Sequence, residues 1–337
     1  MGSHRRLAPS GFDRGTGAAL CVMSAAATAL GVVPATAAPH DDTRAKVDRL
    51  YEEAEKATEA YNKADERADK LRDQVRRAQD RIARQQEDIN SKRDALGLLA
   101  GAQYRSGGID PSLALLLSDD PADYLDKAAR IARISAHQAG ELKDLQDAMR
   151  VLAQERSEAA KQLTELEKSR KAVATHKRTV ERKLAQARRL LNSLTASDRA
   201  AYDRASRSGR DILPDFGNAV ASSARAAAAV AAAQSALGRP YVWGANGPYG
   251  FDCSGLIQWS YAQAGVSLPR TSQGQRYAGR QVPLSEAQPG DVVTYRSDAS
   301  HVGMYVGNGQ VIHAPYPGAP VRYDPVGMIP GATVTRV

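Results

Sequence analysis

F-D-C-S-G-L-I-Q-W-S-Y-A-Q-A-G, residues 251–265, decides how the rest of this chain is read. Leu256, Ile257, Tyr261 and Ala264 give an apolar face at helical spacing, and Gly265 supplies a stop. Cys253 therefore falls in the first helical turn, among unpaired backbone N–H groups and at the positive end of the helix dipole. Both favour thiolate over thiol, and the thiolate is the nucleophile. The same N–H groups can steady an oxyanion on a carbonyl that the sulfur attacks. A free cysteine is more often a small buried hydrophobe. Here polar Asp252 and Ser254 flank it beside a glycine, which argues against a core position. A nucleophile is the expectation.

Downstream, strand signals come in quick succession. Residues 291–296 are β-rich after a Pro289-Gly290 turn, 301–306 alternate up to Gly307-Asn308-Gly309, 310–314 complete a hairpin, and 321–323 form a weaker strand. An alanine-rich helix over 219–237, ending at Gly238, precedes the cysteine helix. Helices first and an antiparallel sheet afterwards indicate an α+β domain over 221–337. Its two histidines, His301 and His313, both fall on the hairpin, where strand pairing can face their imidazoles toward the cysteine helix. That suits Cys–His catalysis, in which one imidazole handles the proton and a third polar group orients it. Chain order alone does not assign the roles. The competing readings are solvated surface histidines, and a zinc site of Cys253, His301 and His313; the wide scatter of those ligands disfavours zinc. No metal or cofactor is expected. His137 and His176 lie in helical tracts and read as solvated or seam residues.

The first half is a heptad. Val47, Leu50, Ala54, Ala57, Tyr61, Ala64, Ala68, Leu71, Val75, Ala78, Ile82, Ile89 and Leu96 hold the seam, interrupted at Gln85 and Lys92. A second run extends from Leu142 to Leu194, weakened at Arg156, Arg170 and Lys177. Each run makes roughly 75 Å of helix. Matched lengths predict an antiparallel coiled-coil hairpin over 38–205; the alternative is two helices that each pair with another protein. The connecting tip, about 97–127, contains Gly107-Gly108, Asp110-Pro111 and the run Leu113-Ala114-Leu115-Leu116-Leu117, with another short helix opening near Pro121. The leucines either cap the hairpin or form a docking knob. Residues 206–220, with Gly209, Pro214 and Gly217, read as a linker.

Residues 1–37 read as a signal peptide. A basic leader with Arg5, Arg6 and Arg14 precedes an apolar stretch over 18–33, and Ala35-Thr36-Ala37 suits signal peptidase. Export to the cell wall or beyond is the expectation, with a retained signal anchor as the alternative. Cys21 follows Leu20, a poor context for lipid attachment, and leaves with the leader. The formal net charge of +8 calls for an anionic partner. Nucleic acid is disfavoured because the charge lies on mixed-charge helices behind an export signal, whereas anionic wall polymers fit.

Six blocks carry a resemblance: Y-V-W-G at 241–244, F-D-C-S-G at 251–255, L-P-R-T-S at 268–272, Q-P-G-D-V-V at 288–293, H-V-G-M-Y-V-G at 301–307 and I-H-A-P at 312–315. Together, and in this order, they resemble the NlpC-type cell-wall peptidases, a papain-like cysteine peptidase family. The resemblance implies Cys253 as nucleophile, His301 as general base and acid, and His313 as the orienting member. It implies that Tyr241 lines the cleft, that Asp252 and Ser254 shape substrate subsites, and that Arg270 and Ser272 contact carboxylates of the peptide stem. The implied substrate is a peptidoglycan stem peptide, cut between γ-linked D-glutamate and the diamino acid. The helices, with A-Q-Y-R-S-G-G at 102–108, resemble the arms of division-associated wall hydrolases controlled by FtsEX-type membrane complexes, which implies regulation by docking or by covering the cleft. Two other readings remain: an inactive adaptor whose arm is its function, and an amidase or acyl transferase on the same fold.

Overall fold

The structure is a computed structural model that describes residues 39–105, 113, 121–200 and 220–337. Two long helices dominate its first part, α1 (Pro39–Arg105) and α2 (Pro121–Ser193). They run antiparallel. Val47 packs with Val180, Leu184 and Ala187, the Ser169 hydroxyl donates to the Ala64 carbonyl at 2.8 Å, and Ile89 packs with Ala148 and Leu152. Positions that rise along α1 thus meet positions that fall along α2. Buried alanines on both helices (Ala54, Ala57, Ala68 and Ala78; Ala148, Ala159 and Ala187) let the backbones approach closely. Cross-helix ion pairs such as Arg67–Glu165 are exposed and add little stability.

One expectation about this part needs correcting, and α1 runs on into the segment read as the tip, through Gly97 and Gly101 to Arg105. No separate short helix opens at Pro121, which instead begins α2 itself, and α2 passes through Gly140. A lone glycine costs a helix about 1 kcal/mol relative to alanine, too little to break one this long. Of the leucine run, Leu113 is exposed and the rest lies outside the described residues, as do the leader and residues 201–219 of the linker. No described helix is long and apolar enough to cross a membrane.

The C-terminal part contains α3 (Ala224–Ser235), α4 (Cys253–Gln263), the single turn α5 (Ser272–Gln275) and six strands. These are β1 (Arg280–Val282), β2 (Val292–Tyr295), β3 (His301–Gly307), β4 (Gln310–His313), β5 (Arg322–Pro325) and β6 (Thr333–Arg336). They form one antiparallel sheet in the order β1-β6-β2-β3-β4-β5. Ala229 and Ala233 of α3 and Leu256, Ile257 and Tyr261 of α4 join Val292, Val302, Met304 and Ile312 of the sheet in one core. The other face of the sheet carries Val293, Tyr295, Val311 and Val334. The α+β architecture is as the sequence predicts. The sequence reading missed β1 and β6: each buries a single valine near its end, Val282 and Val334, among charged and hydroxyl residues.

Register does the rest. His301 pairs with Tyr295, Met304 with Ile312, His313 with Arg322 and Val311 with Asp324. Side chains alternate with period two along a strand, so His301, His313, Arg322 and Asp324 share one face, on diagonals between neighbouring strands. Gly303, between the histidines, makes room: a Cβ there would lie 3.2 Å from the His313 Cβ.

Candidate active site

Asp252 caps α4. Its extended backbone (φ −88°, ψ 177°) turns the chain into the helix, and its Oδ1 accepts from the Gly255 N–H at 2.6 Å. This holds Cys253 as the first helical residue. Gly255 is obligatory, because a Cβ there would fall 2.2 Å from the Ala245 carbonyl oxygen. Asp252 is fully buried and heavily bonded. Arg270 grips it bidentately (Nη1–Oδ1 3.0 Å, Nη2–Oδ2 2.6 Å), and the Gly244 N–H donates to Oδ2 at 3.0 Å. Arg270 Nη1 also donates to the Ser254 hydroxyl at 2.9 Å. Arg270 is thus engaged by the chain's own Asp252 and Ser254, at the turn that carries Cys253, rather than held out toward a substrate carboxylate.

The two imidazoles meet. His301 Nε2 lies 2.8 Å from His313 Nδ1, and His313 Nε2 lies 2.8 Å from Asp324 Oδ2, which Arg322 Nε holds at 2.7 Å. Burial pushes His313 down to about 4, against the opposing pull of Asp324, so His313 is neutral at neutral pH. A neutral His313 that donates Nε2–H to Asp324 must accept at Nδ1. His301 therefore donates from Nε2 to His313, and its Nδ1 is the ring nitrogen that faces away from the row. Asp324 was invisible in the sequence reading; only its place diagonally across from His313 reveals it.

The cleft is not open. Helix α1 lies across it and contributes Tyr51, Glu55, Glu59 and Asn62. Tyr51 stacks on Tyr316 (centroids 4.9 Å) and Tyr61 meets Trp243 edge-on at 5.2 Å. Asn62 Nδ2 donates to Asp252 Oδ2 at 3.0 Å. Glu59 Oε1 sits 3.7 Å from the Cys253 sulfur and accepts from the Ser254 hydroxyl at 2.6 Å, while Oε2 accepts from the Ser272 backbone N–H at 2.8 Å. One helical turn earlier, Glu55 Oε1 lies 3.2 Å from His301 Nδ1, at ion-pair distance. The two carboxylates are 2–4% exposed and Cys253 is 1% exposed.

Two expectations change here. Cys253 is as inaccessible as a core residue, because a helix from the other half of the chain covers it. And the thiolate is suppressed rather than favoured. Burial, followed by the charges of Glu59, Asp252 and Glu55, pushes the thiol well above its ordinary range. Burial likewise raises the Tyr241 phenol. In the closed chain the Ser272 main-chain N–H is taken by Glu59 of α1 and its hydroxyl donates to the Ala299 carbonyl at 2.6 Å, so neither group faces a substrate. Glu55, Glu59 and Asn62 fall at i, i+4 and i+7, one stripe of α1 beside the seam. A polar stripe on a coiled-coil helix ordinarily faces water, so nothing local marked it.

Among the described residues no cluster of three or more His, Cys, Asp or Glu side chains is arranged to hold a metal ion. Both His313 nitrogens are already engaged, by His301 and Asp324.

The family model of the NlpC/P60 family matches residues 238–328, the segment that carries Cys253, His301, His313 and Asp324. Residues 238–328 form an NlpC/P60 domain. The chain is 50% identical over 99 residues to a protein of Mycobacterium tuberculosis named "Probable endopeptidase Rv2190c", covering 29% of this chain and 26% of that one. It is 47% identical over 109 residues to "Probable endopeptidase Cgl2188" of Corynebacterium glutamicum, covering 32% of this chain and 52% of that one. Among solved structures, the peptidoglycan hydrolase RipB of Mycobacterium tuberculosis is 36% identical, with 33% of this chain and 64% of that chain covered and a TM-score of 0.32. The chain thus spans about a quarter of the mycobacterial relative's length and about half of the corynebacterial one's. The family model's match, 238–328, lies outside α1 and α2.

Proposed function

We propose that this chain is an exported cysteine endopeptidase of peptidoglycan whose helical arm holds the catalytic cleft shut. The observation that carries the reading is the hydrogen-bonded row His301–His313–Asp324 in a domain whose cysteine opens a helix, with one turn of α1 setting a carboxylate against each end. In the opened enzyme Cys253 attacks the amide between γ-D-glutamate and the diamino acid of a stem peptide. His301 takes the thiol proton and passes it to the leaving amine. Backbone N–H groups at the start of α4 steady the oxyanion, with Tyr241 nearby, and water then releases the acyl group. Digestion of defined muropeptides by a chain beginning near Ala221, with the fragments weighed by mass spectrometry, tests the bond. Fragments cut at another amide, or transfer products in place of hydrolysis, would move the assignment to the amidase or acyl-transferase reading.

The sealed cleft also suits an inactive adaptor. Labelling of Cys253 by a thiol-reactive probe in a chain with the arm displaced separates the two, since an adaptor has no need of an activated thiol. Export through residues 1–37, attraction to anionic wall polymers and docking of the tip to an FtsEX-type membrane complex complete the proposal; nucleic acid has no part in it.

Asp324 acts here as a positioning residue. Its carboxylate selects the His313 tautomer and steadies positive charge along the row. Asp324→Asn in the opened enzyme is expected to lower kcat by roughly ten- to a hundredfold and to move the acidic limb of the pH–rate profile to lower pH. A kcat loss with an unmoved profile would reduce Asp324 to a packing role.

Closure should also respond to pH. Burial, then the neighbouring Asp252 charge, pushes Glu59 up to about 7 from its usual 4.5. A carboxyl raised on closure favours the closed form fully below 4.5, and that contribution is lost as pH rises through about 7. Glu55 runs the other way. Burial would raise it, but His301 and Arg296 outweigh burial and hold it below its usual value, so its contribution weakens only in acid. Between pH 5 and 8 Glu59 governs. The activity of the full chain, divided by that of the chain beginning near Ala221, is expected to rise roughly tenfold across this range and to flatten in Glu59→Gln. An equally steep rise in the variant would place the titration elsewhere.

A further inference from the structure

Arg296 follows β2 and stands beside the catalytic histidine with no acid of its own domain among its described partners. Its side chain is 19% exposed and its backbone is left-handed (φ 65°), a conformation that costs a non-glycine residue on the order of 1 kcal/mol or more unless the surroundings impose it. The backbone is pinned by its N–H, which donates to the Pro330 carbonyl at 3.2 Å. Both acids that it meets belong to α1: Glu55, with Nη1–Oε2 at 2.8 Å, and Glu52, with Nε–Oε1 at 3.9 Å. From its own domain it reaches the Ser300 hydroxyl at 3.1 Å. The Glu55 carboxylate that it grips is the one 3.2 Å from His301 Nδ1, the ring nitrogen that faces away from the row.

A carboxylate is thus seated between a guanidinium and the catalytic imidazole, beside a cavity of about 350 Å³ walled by Asp48, Tyr51 and Glu52 of α1 on one side and by His313, Arg322 and Asp324 on the other. Lifting α1 removes the first wall and leaves Arg296 and Arg322 as the cations at the site, with Asp324 tied to Arg322 and His313. When α1 lifts, Glu55 and Glu52 leave, and the guanidinium is left without an acid beside an imidazole that must carry positive charge during the reaction. The guanidinium opposes that charge. A carboxylate arriving with the substrate offsets it. Because the imidazole gives its proton to the leaving amine, this carboxylate must belong to the residue on the amine side of the scissile bond.

We propose that Arg296 and this cavity form an anion subsite for a free carboxylate on the amine-side residue of the substrate, and that Glu55 occupies the subsite in the closed chain. The proposal rests on the peptidase reading above. It names the preferred substrate chemically: a peptide whose amine-side residue is a diamino acid with a second, unamidated carboxylate.

The test uses the full chain opened by Glu55→Lys and Glu59→Lys, with two synthetic stem peptides that differ only in that group, carboxylate in one and carboxamide in the other. The carboxylate peptide is expected to have a kcat/KM at least roughly tenfold higher, mostly through KM. Adding Arg296→Asn, since asparagine tolerates the left-handed backbone, should bring the two peptides within about twofold of each other. Arg296→Lys should retain part of the preference and guards against a folding defect. No preference in the opened parent, or a preference that survives Arg296→Asn, overturns the subsite while leaving the peptidase intact. Cleavage of neither peptide overturns the peptidase reading, and the subsite with it.

Discussion

Peptide release from purified sacculi is expected to rise by roughly one to three orders of magnitude when Glu55 and Glu59 are both replaced by lysine in the full chain. Each carboxylate is almost completely buried and each satisfies groups of the cleft: Glu59 the Ser254 hydroxyl and the Ser272 N–H, Glu55 the Arg296 guanidinium. Lysine at 59 would face Arg270 across Asp252, and lysine at 55 would face Arg296 directly. Like charges in such a setting cost several kcal/mol, more than an interface of this kind holds in reserve. The seam further along α1 and α2 is untouched, so the hairpin itself should survive. Alkylation of Cys253 by iodoacetamide should accelerate in parallel, because its cover and two of the charges that suppress its thiolate go together. Release and labelling rates that match those of the unaltered chain would remove the arm from the control of catalysis, although docking of its tip would stay open.

In that opened background, Cys253→Ala is expected to cut fragment release by on the order of 10⁴-fold or more, to the level of buffer alone. No other described cysteine exists to substitute for it. His301→Ala should be nearly as damaging, since both the thiol proton and the leaving amine depend on one nitrogen. His313→Gln should keep part of the activity, because an amide oxygen can still accept from His301 Nε2–H. Comparing release from the same sacculi by mass spectrometry gives all three. Ordinary lysis by the Cys253→Ala chain would end the nucleophile assignment.

The residues whose function is set by local chain geometry were legible in the sequence. A capping aspartate before a cysteine, with a glycine two residues on, specifies a helix start whether or not anything lies above it. The alternation around His301 and His313 put them on adjacent strands, though not which nitrogen meets which. The misses all involve distant partners. Asp324 joins the row through the register of β5 against β4, which the weak strand pattern near 321–323 could not fix. Glu55 and Glu59 meet Ser254, Ser272 and His301 across a sequence separation of about two hundred residues, and on α1 they look like any solvated glutamate. The suppressed thiolate has largely the same source: the helix start favours the anion, but burial comes first among the causes that override it, and Glu59 and Glu55 of α1 add to the neighbouring Asp252 charge.

Helix α1 carries the stopper and continues without interruption to Arg105, so Glu59 and the far end belong to one beam with about 70 Å between them. A beam transmits torque. On the proposed reading, a tug or twist applied out there would arrive at the sulfur as mechanical work, with no diffusing messenger in between.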